Sequence, residues 1–389
     1  MESEANIFVL IDALGWEWVK SHPFLESIAP YRRRLRSVLG YSTAAIPSIL
    51  TGLYPEQHGR LTLFHAANGS SPFKRLSWVC AMPPALTENR YVRHAVKRIA
   101  RRANGFEGYF QLYGVPLRYL PSLDICEKRD IYQPGGIPGV KSIFDSLTEH
   151  RVPYAAYCYH QGDDRTLAAM MRRELSRREK KVYFLYLAQI DAFLHENADN
   201  PAAVARFLDG YSEMLSELHA EAARNYERVR LCVFADHGMA PTVATLDVKA
   251  ILEGLPFSAP RDYLVLLDST MARFWFFSPG AREAVVERLA RERRGRWLGE
   301  EDLKSLRAWF PDRRYGEEIF LTEQGVVIAP SFMGVNAAKG MHGFHPDAPH
   351  SYAAFMSSEE VGSDVQEITD VCSLMLTSAG VISGAPVPR

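Results

Sequence analysis

The chain of 389 residues has few of the features that mark a disulfide scaffold, a cysteine-based metal site or a membrane protein. Its five cysteines are odd in number, scattered, and without the paired spacing of a zinc site. This usage favours free thiols in a reducing compartment. No apolar run approaches the roughly 18 residues that a membrane-spanning helix needs. We therefore expect a soluble protein with reduced cysteines.

The chain also lacks a large excess of charge of either sign, since its formal net charge at pH 7 is -1. Such a balance implies no overall attraction to nucleic acid or to a membrane. Acidic Glu2 and Glu4 precede the first predicted strand, which is the wrong charge for the start of a signal peptide. We therefore expect a cytoplasmic protein that acts on a small molecule, without specific binding to nucleic acid.

The strongest pattern in the sequence is a short apolar run, residues 231–235, followed directly by Asp236, His237 and Gly238. An unbroken run of this length is typical of a strand buried on both faces in a parallel sheet. In open α/β sheets, ligands bind beyond the carboxyl ends of the strands. A carboxylate and an imidazole at such a strand end indicate a metal site, although a polar turn with a helix-capping Asp is the simpler alternative.

Two other predicted strands end in the same way. The run at residues 7–11 ends at Asp12, and the run at residues 182–187 is followed by Asp191 and His195. His342 and His345 lie in a late loop, residues 340–345. A sheet can assemble a metal site from such distant parts of the sequence because its parallel strands end at one edge.

The segment of residues 40–59 supplies candidate nucleophiles. Residues 44–50 are predicted to be helical, which places Ser42 and Thr43 at the helix N-terminus. There the free backbone N–H groups and the helix dipole favour an anion. The alternative is that one hydroxyl only caps the helix. The segment contains no Arg or Lys.

The remaining pattern predicts an alternation of strands and helices, which is an α/β fold. A hairpin is predicted around residues 323–325, and residues 61–137 form an irregular insertion. Within that insertion, residues 90–102 are predicted to form a basic amphipathic helix. Its basic face is interpreted as a solvated surface, with an anionic substrate or an acidic membrane surface as the alternatives.

Five motifs occur in one order along the chain: Asp12 after the first strand, Ser42 ten residues before Gly52, Asp191-x-x-x-His195, Asp236-His237-Gly238 and Gly340-x-His342-Gly343. In this order the chain resembles the alkaline phosphatase superfamily, above all its type I phosphodiesterase/nucleotide pyrophosphatase branch. The resemblance implies a three-layer α/β/α fold with a mostly parallel central sheet. It also predicts one catalytic domain, residues 1–380, with cap insertions at about 61–137 and 255–335 and a tail at 381–389.

The resemblance further implies two divalent metal ions, with zinc as the first choice and manganese as the alternative. Asp12, Ser42, Asp236 and His237 would surround one ion, and Asp191, His195 and His342 would bind the other. Mixed imidazole and carboxylate ligands suit zinc on chemical grounds as well. Two such ions can clamp the attacking and leaving oxygens of an in-line displacement.

The function that follows is hydrolysis of a phosphodiester or pyrophosphate through a phosphoseryl intermediate on Ser42. A phosphomonoesterase, or a phosphotransferase or phosphomutase with the same site, is the alternative. The family pattern often has Asn three residues after the nucleophile, where this chain has Ala45. Ala44 and Ile46 stand where a sulfatase has Pro and Arg, which disfavours that activity.

Four further side chains are weighed for the site. Thr43 is the rival nucleophile, and Thr43, Arg165 and His345 are candidates for binding substrate. His58 is interpreted as structural.

Overall fold

The computed structural model describes residues 3–382, apart from the side chains at 80, 81, 84 and 85. Its strands are β1 Glu4–Ile11, β2 Tyr31–Leu35, β3 Phe64–Ala66, β4 Leu123–Ile125, β5 Tyr154–Tyr157, β6 Val182–Leu187, β7 Arg228–Phe234, β8 Ala240–Pro241, β9 Ala244–Leu246, β10 Tyr263–Leu267, β11 Met271–Phe276, β12 Gly295–Leu298, β13 Glu318–Thr322, β14 Val326–Ile328, β15 Gly340–Met341 and β16 Ala353–Ser357. Its α-helices are α1 Trp16–Val19, α2 Ser42–Thr51, α3 Pro55–His58, α4 Pro84–Thr87, α5 Arg90–Asn104, α6 Ile143–Glu149, α7 Asp164–Leu175, α8 Gln189–Asn197, α9 Pro201–Asn225, α10 Val248–Leu252, α11 Ala281–Ala290, α12 Glu300–Ser305 and α13 Asp370–Ser378. Short 3₁₀ helices cover Lys74–Ala81, Leu117–Ser122 and Pro349–Ser351.

The central sheet has six strands in the order β2-β16-β7-β1-β6-β5. β1 pairs in parallel with both β7 and β6, and β5 pairs in parallel with β6. β16 runs antiparallel to its neighbours β2 and β7. Five of the six strands therefore point the same way, and the ends of β7, β1 and β6 lie side by side.

Helices cover both faces of this sheet. Every residue of β6, and all but the first of β1, is buried. Among them, α7 and α8 both pack on α9, and α2 packs with α6 and α13. The α/β architecture with a mostly parallel central sheet agrees with the fold class expected from the sequence. Within residues 3–382, no helix combines the length and the apolar character needed to cross a membrane.

A second, antiparallel sheet has the order β10-β11-β13-β12. Its strands share one apolar cluster with the predicted insertion, because Leu264 and Trp275 pack with Phe73, Phe106 and Phe110. The two regions that were expected to form caps therefore meet in a common core. The division into one domain with two insertions stays a prediction, and residues 383–389 of the predicted tail lie outside the described residues.

Two elements near the N-terminus differ from the sequence prediction. The sequence of residues 16–28 predicts a helix, but α1 ends at Val19, shortly before Pro23, whose ring cannot continue a helix. The apolar pattern of residues 35–39 predicts the second strand there, whereas β2 lies at Tyr31–Leu35. β2 contains three arginines and therefore does not appear as an apolar run in the sequence. Arginines are tolerated there because β2 is an edge strand, where side chains can point to the surface.

The predicted hairpin around residues 323–325 is wrong. Both of its strands form, but β13 pairs with β11 and β12, whereas β14 pairs in parallel with β9. Each of the two strands thus pairs with strands distant in sequence instead of with the other. The short link of residues 323–325 connects two different sheets.

His58 is buried in the core, as its structural interpretation requires. Its Nε2 lies 3.0 Å from Ser48 Oγ, and burial together with nearby Arg60 lowers its pKa to about 3. In the unfolded chain a histidine titrates near 6.5, so only the unfolded state gains this proton between those two values. The native state should therefore lose stability as pH falls through this range.

We expect His58→Gln, which keeps a group able to bond Ser48, to reduce this acid sensitivity. From pH 7 to pH 5 the histidine should cost the native protein about 2 kcal/mol that the variant does not lose. Urea unfolding of both proteins at the two pH values measures the difference. Equal losses in the two proteins would show that His58 does not titrate in this way.

Candidate active site

The candidate site lies at the carboxyl ends of three neighbouring strands. Asp12 follows β1, Asp236 and His237 follow β7, and Asp191 lies in the first turn of α8, just after β6. The chain turns sharply after His237, where a Cβ on Gly238 would lie only 2.2 Å from the carbonyl oxygen of His350. Only glycine fits this close approach, so the motif Asp236-His237-Gly238 has a structural reason as well as a chemical one.

The first group of predicted ligands converges around Ser42. Ser42 Oγ lies 3.0 Å from His237 Nε2 and 3.5 Å from Asp12 Oδ1. His237 Nε2 is also 3.2 Å from Asp236 Oδ2. Ser42 is the first residue of α2, and within residues 3–382 its backbone N–H has no acceptor. The nucleophile candidate and an anion-binding helix end therefore face the same point.

The second group contains Asp191, His195 and His342. Asp191 Oδ1 lies 3.4 Å from His195 Nε2 and 3.5 Å from His342 Nε2. Ligand atoms of Asp12, Asp191 and His237 also lie within 4.8 Å of one another. The imidazole rings of His237 and His342 stack, with their centroids 3.9 Å apart. Asp191 and the stacked rings thus join the two groups into one cluster.

The orientation of the histidines fits metal binding. His237 Nδ1 lies 3.0 Å from the carbonyl oxygen of Gly238, and His195 Nδ1 lies 2.8 Å from that of Gly340. A carbonyl can only accept, so each Nδ1 carries a proton, and each Nε2 is the ring atom left to bind a metal ion beside a carboxylate. Asp236 Oδ2 and Asp191 Oδ1 are buried and have no hydrogen-bond donor within residues 3–382. These two buried carboxylate oxygens, which have no donor, would be stabilised by a cation bound beside the histidine nitrogens.

The pKa shifts point to the same need for positive charge. Burial raises the pKa of Asp236 to about 7 and that of Asp12 well above its usual range, and the neighbouring carboxylates add to both shifts. Although burial opposes it, the Asp191 carboxylate raises the pKa of His195 to about 8. Burial lowers the pKa of His342 well below its usual value. Carboxylates this deeply desolvated are stabilised by cations.

A cavity of about 510 Å³ opens next to this cluster. Ser42, Asp12, Asp191, His195 and His342 form its floor. Its walls are largely aromatic, from Tyr41, Phe64, Tyr109, Tyr113, Tyr132, Tyr159, Tyr186 and Phe332. Two carboxyl groups, Glu127 and Asp268, also line it, and within residues 3–382 it is lined by neither Lys nor Arg.

Of the other candidate residues, one lines the cavity and two lie outside its lining. Thr43 lines the cavity, but its Oγ1 is buried and without a hydrogen-bond partner among residues 3–382. Arg165 is exposed and lies outside the cavity lining. His345 also lies outside the lining and faces Asp347 at 3.7 Å. Their role in binding substrate stays a prediction.

Several wall residues were not found from the sequence. Tyr41 precedes the nucleophile candidate and hydrogen-bonds Thr270 Oγ1 at 2.9 Å. Glu127 is buried, and burial raises its pKa to about 7. Its Oε1 accepts a hydrogen bond from the Tyr109 backbone N–H at 3.1 Å. No spacing pattern marks either residue, since Glu127 reaches the cavity from the irregular insertion and Tyr41 lies in the link before α2.

The sheet, the helix-borne serine and the histidine-carboxylate cluster together define a member of the alkaline phosphatase superfamily. Within it, the chain belongs to the family of type I phosphodiesterases and nucleotide pyrophosphatases, whose model matches residues 137–345, more than half of the chain. The chain is therefore a hydrolase that acts on phosphoester bonds. Members of this family typically depend on divalent metal ions, and the cluster provides candidate ligands for them.

Solved structures support the fold. Human ectonucleotide pyrophosphatase/phosphodiesterase 5 matches with a TM-score of 0.68 and 13% identity, over 98% of this chain and 96% of that one. The murine enzyme of the same name matches with a TM-score of 0.67 and 14% identity, over 99% and 98%. An inactive variant of the murine enzyme in complex with AMP matches with a TM-score of 0.68 and 14% identity, over 99% and 97%. No curated protein sequence matches the chain.

Proposed function

We propose that the chain hydrolyses a small phosphodiester or pyrophosphate by a two-step displacement through Ser42. The observation that carries this proposal is the placement of Ser42 Oγ within 3.5 Å of both His237 Nε2 and Asp12 Oδ1, on the floor of an aromatic cavity. Two divalent ions held by the predicted ligands, with zinc as the first choice and manganese as the alternative, would lower the pKa of the serine hydroxyl and stabilise the leaving oxygen.

The residues of this chain define the steps. Ser42 Oγ forms a bond to phosphorus as the bond to the leaving oxygen breaks, and the N-terminus of α2 binds the phosphoryl oxygens. The hydroxyl proton of Ser42 leaves to solvent water, because His237 Nε2 and Asp12 Oδ1, the acceptors beside it, would be occupied as metal ligands. Water then cleaves the bond between Oγ and phosphorus, and the serine hydroxyl is restored.

The cavity supports a diester over a monoester. A monoester presents a dianionic phosphoryl group, which usually requires an additional cation beside the nucleophile. No Lys or Arg among residues 3–382 lines this cavity. From the sequence, five aromatic residues of the insertion are candidates for receiving a second organic group: Phe64, Trp78, Tyr109, Phe110 and Tyr113. Of these, Phe64, Tyr109 and Tyr113 line the wall. The other two do not, because Trp78 is 55% exposed and Phe110 packs inside the insertion.

We expect kcat/KM for bis-(p-nitrophenyl) phosphate to exceed that for p-nitrophenyl phosphate by about tenfold or more under identical metal loading. Tyr113→Ala should lower the diester value because it removes part of the wall. Trp78→Ala, which removes an exposed aromatic outside the lining, should not. A clear monoester preference would contradict the proposal, and its loss in Arg165→Ala or Arg98→Ala would identify the cation responsible.

We also propose a cytoplasmic location. Cys126, Cys158, Cys232 and Cys372 are unpaired, as expected in a reducing compartment. The solved relatives are named as ectonucleotide enzymes, so the two settings differ. Cell fractionation of a tagged chain tests the proposal, and recovery outside the cytoplasm would contradict it.

A further inference from the structure

The helix α5 carries positive charge on a scale found in no other helix of the described chain. It contains six Lys and Arg residues, at positions 90, 93, 97, 98, 101 and 102, and no acidic residue occurs between Glu88 and Glu107. Within residues 3–382, none of these cations has an ion-pair partner. Solvated helix faces normally mix both signs of charge, so this face is distinct from an ordinary solvated surface.

The outward face of α5 is also apolar. Tyr91 is 69% exposed and Ile99 is 48% exposed, and they lie eight residues apart on one stripe with exposed Ala95 between them. Arg98 and Arg102 flank this stripe and are exposed. Shortly before the helix in sequence, Trp78 and Leu86 are also exposed. Exposed large apolar side chains bordered by cations are typical of helices that lie in a membrane interface.

The inward face of α5 is fixed to the wall of the active-site cavity. Arg93 donates hydrogen bonds to the carbonyl oxygens of Leu112 at 3.3 Å, Tyr113 at 3.1 Å and Val115 at 2.9 Å. The side chains of Tyr113 and Val115 line the cavity. Val96 and Ala100 pack into the core beneath the helix. The basic surface is therefore held rigidly against the substrate-binding wall.

We propose that the outer face of α5, with Arg98, Arg102, Tyr91 and Ile99 at its centre, docks on an anionic lipid bilayer. The charge of the helix complements acidic headgroups, and the apolar stripe provides side chains that can enter the interfacial layer. An acidic protein or a nucleic acid would use the charge but would leave Tyr91 and Ile99 without a partner. Docking would hold the cavity, and the cluster beneath it, at the membrane surface.

Sedimentation with lipid vesicles tests the proposal and requires no catalytic activity. The full chain should bind vesicles of phosphatidylcholine with about 30% phosphatidylserine, bind phosphatidylcholine alone far less, and dissociate as salt is raised. Each basic side chain at such a surface changes the binding constant by about fivefold. Arg98→Gln/Arg102→Gln should therefore weaken vesicle binding about tenfold or more. Tyr91→Ser/Ile99→Ser should weaken vesicle binding at low salt and at high salt alike, because it removes apolar contacts that salt does not screen.

Arg173→Gln/Arg206→Gln is the matched control, because it removes two exposed arginines from α7 and α9 and changes the net charge equally. It should bind like the unmodified chain. Equal loss in both arginine pairs, or no preference for acidic vesicles, would overturn the proposal. Binding to double-stranded DNA without binding to vesicles would overturn it too. Unchanged thermal unfolding of each variant confirms that the fold is intact.

Discussion

Replacing Ser42 by alanine is expected to abolish nearly all turnover and to leave the metal content unchanged. The serine places its Oγ between His237 Nε2 and Asp12 Oδ1, whereas Thr43 Oγ1 has no hydrogen-bond partner among residues 3–382. Loss of an attacking oxygen removes the covalent route and should lower kcat by roughly 10³- to 10⁵-fold. Steady-state kinetics on a diester, beside elemental analysis, measures both quantities.

Thr43→Ala is the control for this substitution. Thr43 lines the same cavity and is the next residue of α2, so a general disturbance of the helix end would affect both variants. We expect its kcat to stay within about tenfold of the unmodified enzyme. Acid quenching followed by peptide mapping should recover phosphate on Ser42. The reverse ranking, or phosphate on Thr43, would transfer the role to the threonine.

Two metal ions per chain are expected at saturation, and Asp236→Asn should remove one of them together with most of the activity. Asp236 Oδ1 accepts hydrogen bonds from the backbone N–H of Ala13 at 3.1 Å and of His237 at 3.0 Å. The amide oxygen of asparagine can keep both bonds. The substitution therefore removes the charge of Oδ2 and leaves the loop in place. Loss of one ion should lower kcat by about 10²-fold or more.

Asp163→Asn is the matched control for the metal experiment. Asp163 is exposed and caps α7 through a bond of 2.8 Å from the Thr166 backbone N–H, a role that asparagine fills equally well. It should retain two ions and full activity. The experiment consists of chelation, reloading and elemental analysis of the three proteins. Saturation at one ion per chain in the unmodified protein, or full activity in Asp236→Asn, would refute the two-metal site.

The floor of the site could be predicted from the sequence because it depends on local signals. The apolar run at residues 182–187 predicts the bounds of β6, and the residues that follow parallel strands meet at one edge of the sheet. The helix that begins at Ser42 ends at Gly52, which has a φ of 73°, the left-handed conformation that glycine adopts readily. Both ends of that helix can therefore be recognised without tertiary information.

The wall of the site could be predicted only in part, because the sequence suggests aromatic residues of the insertion without showing which of them face the cavity. Tyr109, Tyr113 and Glu127 belong to a stretch with no regular period, and contacts from elsewhere decide which of its side chains face the cavity. The bonds from Arg93 to carbonyl oxygens of this stretch are one such contact. The wrong hairpin has the same origin, since β13 and β14 pair with strands distant in sequence. Specificity therefore depends on the part of the fold that local rules describe least.

The position of β16 in the central sheet affects the biosynthesis of the protein. Residues 353–357 insert between β7 and β2, so an emerging chain can align β5, β6, β1 and β7 while one side of β7 still lacks its neighbour. That open edge can pair with other nascent chains until β16 leaves the ribosome. The same late strand binds the loop after β1, through the bond of 2.9 Å from the Ala354 backbone N–H to the carbonyl oxygen of Leu14. The loop after Asp12 can therefore gain this hydrogen bond only once residue 354 has been translated.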